Sequence, residues 1–169
     1  MTDAKENYHT VAVLVENEFG VLARVASLFS GKGYNIDSLS VSPTLDPTVS
    51  RMTIVTHGSD LIIQQIVKQL AKLINVLRVE DFTEERYLNR EMILVKVAAG
   101  KKHRSALEKL VTRFDGKILE DGAKSLLLEF NGEPARLGGL LEQLRALGIL
   151  EFVRTGAVAI HRGETIFTS

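Results

Sequence analysis

Thr10-Val11-Ala12-Val13-Leu14-Val15, the loop Glu16-Asn17-Glu18-Phe19-Gly20, and the run from Val21 to Phe29 together decide how this chain begins to fold. The first six residues are a short β-branched-rich run and read as a buried strand, which the polar loop ends. Val21, Leu22, Val25, Ala26, Leu28 and Phe29 then recur at helical spacing. Gly31-Lys32-Gly33 stops that helix, because glycine tolerates the left-handed backbone of a helix exit. The opening is therefore strand, tight loop, helix.

Moving outward, Tyr34 to Ser42 reads as extended, and Pro43-Thr44-Leu45-Asp46-Pro47 is a proline-punctuated connection to a strand at Arg51–Thr56. Gly58-Ser59-Asp60 offers a cap for a second helix, whose stripe is Ile62, Ile63, Ile66, Val67, Leu70 and Leu73. Leu77 and Val79 alternate with Arg78 and Glu80 in a closing strand. The order over residues 8–82 is β-α-β-β-α-β. The same order recurs over residues 90–163. Met92 to Ala98 is a strand, and Leu107, Leu110, Val111 and Phe114 mark a helix ending near Asp115-Gly116. Asp121-Gly122 joins Lys117–Glu120 to Ser125–Phe130 as a hairpin, since both residues accept positive φ. Pro134 suits a first helical turn, Leu137, Leu140, Leu141, Leu144 and Leu147 face one way, and Gly148 ends that helix. Leu150 to Ile160 returns as strand. Thr83-Glu84-Glu85-Arg86 is the expected junction. The fold class is α+β: two split β-α-β, ferredoxin-like sandwiches, each with two helices on one face of a four-stranded antiparallel sheet. Such a sheet leaves its other face and its edge strands uncovered, which predicts self-association as a homodimer.

Composition narrows what this scaffold can do. Among 169 residues, 21 basic and 21 acidic side chains cancel, so no global field favours nucleic acid or acidic lipid. The absence of cysteine excludes a disulfide framework, a thiolate zinc site and a cysteine nucleophile. The first ten residues are polar and no apolar run approaches about 20 residues, so neither a secretory signal nor a membrane span is expected and the location expected is cytoplasmic. The strand Arg51–Thr56 carries no aromatic residue for stacking bases, against RNA binding.

No reactive constellation emerges. His9, His57, His103 and His161 are too far apart in sequence for a local metal pair. His57 reads either as a ligand contact or as a loop histidine bonded to nearby backbone. Glu16/Glu18 and Glu84-Glu85 are paired acids in polar stretches, and Gly31-Lys32-Gly33 is too short for a phosphate loop. Gly138-Gly139 suits close helix packing. Lys101-Lys102-His103-Arg104, placed just before a helix, is a solvated cap or a dock for an acidic partner. Catalytic and metal-binding residues are expected to be absent.

Asn17-Glu18-Phe19-Gly20 differs from these. It leads into a helix start, where free backbone N–H groups form an anion site. Glycine permits close approach, and asparagine both donates and accepts. A free amino acid fits this chemistry: N–H groups for its carboxylate, an amide oxygen for its ammonium, apolar neighbours for its side chain. An ordinary strand-to-helix turn fits the same residues.

Three segments, Asn17-Glu18-Phe19-Gly20-Val21-Leu22, Gly33-Tyr34-Asn35-Ile36-Asp37-Ser38-Leu39 and Asp46-Pro47-Thr48-Val49-Ser50-Arg51-Met52-Thr53-Ile54, resemble the small subunit of acetohydroxyacid (acetolactate) synthase. The resemblance continues through Leu77-Arg78-Val79, Arg90-Glu91-Met92-Ile93-Leu94-Val95-Lys96 and Arg154-Thr155-Gly156, loosening in the second half. It implies an amino-terminal ACT domain over 8–82, a module that binds small effectors at a dimer interface, and a carboxy-terminal ferredoxin-like domain over 90–163. The implied effector is a branched-chain amino acid, typically valine. It would be held by Asn17, Gly20, Val21 and Leu22 of one subunit and by Asn35 and Ile36 of the other. The implied partner is a catalytic large subunit carrying thiamine diphosphate, magnesium and FAD, which this chain, itself without cofactor, would activate and make inhibitable by valine. A stand-alone amino-acid sensor for another enzyme or a transcription factor is the alternative. An acylphosphatase-like hydrolase would need an arginine in the first strand-to-helix loop, where two acids stand instead.

Overall fold

Val11, Val13 and Val15 lie on one side of the first strand, and the first unit closes around them. The computed structural model describes residues 7–82 and 87–168; the expected junction Thr83–Arg86 falls outside them. The elements are β1 (Asn7–Glu16), α1 (Val21–Gly31), β2 (Ser38–Pro43), β3 (Val49–Gly58), α2 (Asp60–Leu70) and β4 (Val76–Asp81). The chain continues with β5 (Tyr87–Ala98), α3 (Lys101–Phe114), β6 (Lys117–Asp121), β7 (Ser125–Gly132), α4 (Pro134–Arg145), β8 (Ile149–Arg154) and β9 (Val158–His161). The two antiparallel sheets run β2-β3-β1-β4 and β6-β7-β5-β8, the same permutation twice. The repeated α+β, ferredoxin-like architecture expected from the sequence is the architecture observed.

Two compact units divide the chain. One holds the residues up to Leu88 together with the segment from Ala157 onward; the other is Asn89–Gly156. In the first, Val11, Val13 and Val15 pack with Met52 and Ile54 of β3, Val25 and Phe29 of α1, and Ile63, Ile66 and Leu70 of α2. In the second, Ile93, Val95 and Val97 pack with Leu126, Leu128 and Phe130 of β7, Leu107 and Leu110 of α3, and Leu137, Leu140 and Leu144 of α4. Each fully buried aliphatic or aromatic side chain contributes about 1.5–3 kcal/mol, so these alternating stripes dominate the stability of both sandwiches.

Several local expectations change. The extended run Tyr34–Ser42 begins only at Ser38: Gly33 has φ +71°, and Asn35 Nδ2 donates to Asp37 Oδ1 at 2.9 Å, closing a polar turn first. The hairpin at Asp121-Gly122 forms, yet neither residue has positive φ. Gly122 N–H donates to Ser125 O at 3.0 Å, and a Cβ there would come 2.9 Å from that oxygen, so close approach is what demands glycine. Lys101–Arg104 is the first turn of α3 and not a segment before it, with Arg104 bonded to Asp121 Oδ1 at 2.6 Å. Nothing lies within 4 Å of a Cβ built on Gly138 or Gly139, which removes the close-packing explanation for that pair. The expected strand Leu150–Ile160 is broken at Gly156, φ +78°, into β8 and β9.

The largest difference concerns the face of the first sheet turned away from the helices. It is not bare. The segment from Ala157 onward crosses it, and Ala12, Leu14, Val49, Phe82, Ala159 and Phe167 form a second core there. Arg51 Nη2 donates to Ala159 O at 2.6 Å, Arg78 Nη1 to Thr168 O at 3.1 Å, and Arg162 Nε to Tyr87 O at 3.3 Å. The guanidinium groups of Arg51 and Arg78 lie 5.0 and 4.9 Å from the Phe167 ring centre. Ordering a peptide residue costs about 1–2 kcal/mol, so one buried phenylalanine could not hold this strap; several bonds along its length are needed, and several are present.

In the second unit Gly116 marks a tight packing point. A Cβ there would overlap the buried Phe130 ring, whose position the surrounding core fixes. Gly116→Ala is expected to destabilise the protein by about 1–3 kcal/mol, the usual range for an overpacked core. Urea denaturation followed by circular dichroism measures it; an unchanged midpoint would show that Phe130 can move.

Candidate functional site

Strand β1 ends at Glu16, and the next residue is tied down twice. Asn17 N–H donates to Thr48 O at 2.7 Å, and its Nδ2 donates to Pro47 O at 2.8 Å. The Pro47 turn is itself braced: the Asp46 carboxylate accepts from Thr48 N–H at 2.9 Å and from Thr48 Oγ1 at 2.7 Å. Those bonds hold Asp46 below the usual carboxylate range. With its amide donor spent on Pro47, Asn17 leaves its Oδ1 as an acceptor, and the side chain is exposed.

Gly20 is the N-cap of α1 with φ +81°, a left-handed conformation that favours glycine, and open space surrounds the position of a Cβ. No side chain caps α1 and no acid sits in its first turn. Val21 N–H reaches back to Glu18 O at 3.5 Å, and the next N–H groups of that turn, with the positive end of the helix dipole, are left for an anion. Val21 is buried in the core while Phe19 and Leu22 are exposed, giving the loop two apolar side chains open to solvent. The two acids of the loop are tied to Asn75. Asn75 Nδ2 donates to Glu16 Oε2 at 2.6 Å and to Glu18 Oε2 at 3.4 Å, and Arg24 Nη1 donates to Asn75 Oδ1. Glu16 and Glu18 are thus held in a side-chain network that runs through Asn75 to Arg24 of α1.

Asn35 and Ile36 lie elsewhere in the unit. Asn35 is exposed, with its carbonyl accepting from Thr56 Oγ1 at 2.6 Å, and Ile36 packs against the main core. Glu16 faces Val49 in the β1–β3 register, whereas Thr56 is seven residues further along β3, roughly 23 Å at the usual rise per residue. One chain therefore brings Asn17, Gly20, Val21 and Leu22 together and keeps Asn35 and Ile36 away from them.

His57 belongs to β3 and not to a loop. Its Nδ1 lies 2.6 Å from Asp37 Oδ2, and its ring meets Tyr8 edge-on at 6.0 Å. Thr48, Asn75 and Asp37 were missed by sequence reasoning. Only Asp46-Pro47-Thr48 carried a local signal, as an Asp-initiated turn; the other two act through residues distant in sequence. Among the described residues no group of three or more His, Asp or Glu side chains could hold a metal ion, and no helix is long and apolar enough to cross a membrane.

Two family models match this chain in succession. Residues 11–78 match the acetohydroxyacid synthase small subunit-like ACT domain, and residues 90–163 match the small subunit of acetolactate synthase. The probable acetolactate synthase small subunit of Archaeoglobus fulgidus is 42% identical over 156 residues, covering 92% of this chain and 98% of that protein. The acetolactate synthase isozyme 3 small subunit of Escherichia coli is 41% identical over 157 residues, covering 92% and 96%. The crystal structure of the acetolactate synthase small subunit from Thermotoga maritima superposes with a TM-score of 0.85 at 34% identity, covering 94% of this chain and 99% of that one.

Proposed function

The chain belongs to the family of acetolactate synthase small subunits, and on that premise we propose that it activates a catalytic large subunit and subjects it to feedback inhibition by valine. The observation that carries the effector side of this reading is the start of α1, which no side chain caps, with Gly20 at φ +81° three residues after the exposed Asn17. A zwitterionic amino acid satisfies both: its carboxylate meets the free N–H groups, and its ammonium meets Asn17 Oδ1. Leu22 on one side and Ile36 on the other receive a branched aliphatic side chain. Because Asn35 and Ile36 of the same chain are far from Gly20, a second copy supplies them, and the effector site is completed in a homodimer. Residues 8–82, with the returning segment from Ala157 packed on their sheet, form the effector domain, and the carboxy-terminal domain expected over 90–163 is the unit that ends at Gly156.

The large subunit carries the chemistry, with thiamine diphosphate, magnesium and FAD, and this chain contributes none of it; both work in the cytoplasm. The purified chain alone should make no acetolactate from pyruvate, and adding it to its large subunit should raise the rate and make it valine-sensitive. Synthase activity in the isolated chain, or a large subunit indifferent to it, would sink this reading. Light scattering on the full chain should report twice the chain mass; a folded monomer at micromolar concentration would leave the effector site without its second half.

A further inference from the structure

The face of the first sheet crossed by the strap also holds a cavity of about 460 Å³, within the roughly 300–1,000 Å³ used by small-molecule sites. Its polar floor follows from strand register: Arg51 pairs with Leu14 on one side and Ser42 on the other, and Thr53 pairs with Ser40. Directly paired residues point to the same side of a sheet, so one guanidinium and three hydroxyls converge on this face. Leu14, Val49 and Phe167 supply apolar wall.

Arg51 brings the one charge that lines this cavity. Partial burial holds the Arg51 guanidinium below its usual range, which marks how far it has been drawn from water. The acid nearest in effect, Glu80, is already engaged by Arg78 Nη2 at 3.2 Å and His161 Nε2 at 3.4 Å. Among the described residues no carboxylate forms an ion pair with Arg51, and none lines the cavity. One donor of the guanidinium serves Ala159 O, and its planar fork has further N–H groups to offer. A half-buried cation favours an anion that can reach it.

The lining selects the anion. One positive charge, with no ion-pair partner among the described residues, matches one negative charge better than the two of a phosphate. The apolar wall calls for a carbon body, which an inorganic ion lacks. An ammonium beside Arg51, with no carboxylate on the lining, would be repelled, so an amino acid is disfavoured here. The hydroxyls of Ser42 and Thr53 suit an oxygen substituent next to the carboxylate. We infer that this cavity binds a small oxo or hydroxy monocarboxylic acid, with its carboxylate on Arg51 and its second oxygen on the Ser42 and Thr53 hydroxyls. Acetolactate, a monocarboxylate bearing both a hydroxyl and an oxo group, is of this class. The cavity therefore gives the chain a means of sensing the acids of the reaction itself, independent of any amino-acid effector.

Calorimetric titration of 3-methyl-2-oxobutanoate into the full chain tests the inference. One molecule should bind per chain, and saturating valine should leave that binding unchanged. Arg51→Met should weaken it about tenfold or more, the scale of a lost hydrogen bond to a charged group, and Thr53→Val about two- to tenfold, the scale of a lost neutral one. Arg51 also steadies the strap, so circular dichroism must accompany that variant. If Arg51→Met does not fold, Thr53→Val decides, since it keeps the side chain's shape and removes only the hydroxyl. Absence of binding to the wild-type chain overturns the inference. So does unchanged affinity in the folded variants, displacement of the oxo acid by valine, or equally tight binding of the neutral 3-methylbutanamide.

Discussion

Gly20→Asp is expected to leave the chain folded and its assembly state unchanged while reducing its affinity for valine more than a hundredfold. At φ +81° any residue with a Cβ is strained, but aspartate is among those that tolerate the left-handed region best, and nothing lies within 4 Å of the new Cβ. The strain amounts to about 1–2 kcal/mol, a tolerable fraction of an ordinary folding free energy of about 5–15 kcal/mol. Binding suffers more. The new carboxylate stands at the helix start, the place proposed for the effector's own carboxylate, and two like charges about 4 Å apart near a protein surface repel by about 4 kcal/mol. Each 1.4 kcal/mol is about tenfold in affinity, so repulsion alone accounts for the hundredfold, and steric exclusion adds to it. Asn17→Ala should be milder, about tenfold, because it removes one charge-assisted bond and leaves the N–H groups in place. In the holoenzyme both variants should still activate, with Gly20→Asp no longer inhibited. Calorimetry with valine separates the outcomes: wild-type affinity in Gly20→Asp would move the effector site out of this loop.

Phe82→Ala should cost about 3–5 kcal/mol of stability, the range for truncating a fully buried aromatic residue. Phe82 is 0% exposed and touches three other rings: His161 at 4.1 Å, Phe167 at 5.7 Å and Tyr87 at 5.9 Å between centres. Two of those partners come from the returning segment, so the truncation removes the surface on which the strap rests as well as its own contacts. Denaturant titration by circular dichroism gives the number; a loss below about 1 kcal/mol would show the ring cluster to be dispensable.

The helix-facing core was open to inspection in the sequence because its signals are local. Val11, Val13 and Val15 alternate, Val25 and Phe29 repeat at helical spacing, and Gly148 stops a helix where a glycine of φ +93° is found. The half of the candidate site around Gly20 was legible for the same reason, as a strand, a polar loop and a helix start in immediate succession. The support beneath it was not. Asn75 reaches Glu16 across 59 residues, and His57 reaches Asp37 across 20, and neither leaves a trace in local periodicity. The covered face of the first sheet was invisible because its cover is distant: Arg78 meets Thr168 across 90 residues. Gly156 did carry a signal, as a glycine inside an expected strand, and breaking the run there would have freed the last residues to pack elsewhere. The inference of self-association from a bare sheet face consequently loses its support in the first unit. The open edge strands β2 and β4 of that unit and the exposed Leu150, Phe152 and Val153 of the second sheet still favour it.

The return of the last residues to the first unit changes the kind of two-domain protein this is. Residues 89–156 are an insertion, entered after Leu88 and left before Ala157, and not a bead on a string. A single engineered protease cut between residues 82 and 90 would therefore not release two pieces. The severed amino-terminal fragment would still grip Phe167 and Ala159, and through that grip the whole of residues 90–156 would remain attached. Separation would require a second cut near Gly156 or a denaturant strong enough to melt the ring cluster. A shortened chain meant to isolate the first unit should accordingly join Leu88 to Ala157 through a short linker, restoring the closed loop of chain that the insertion interrupts.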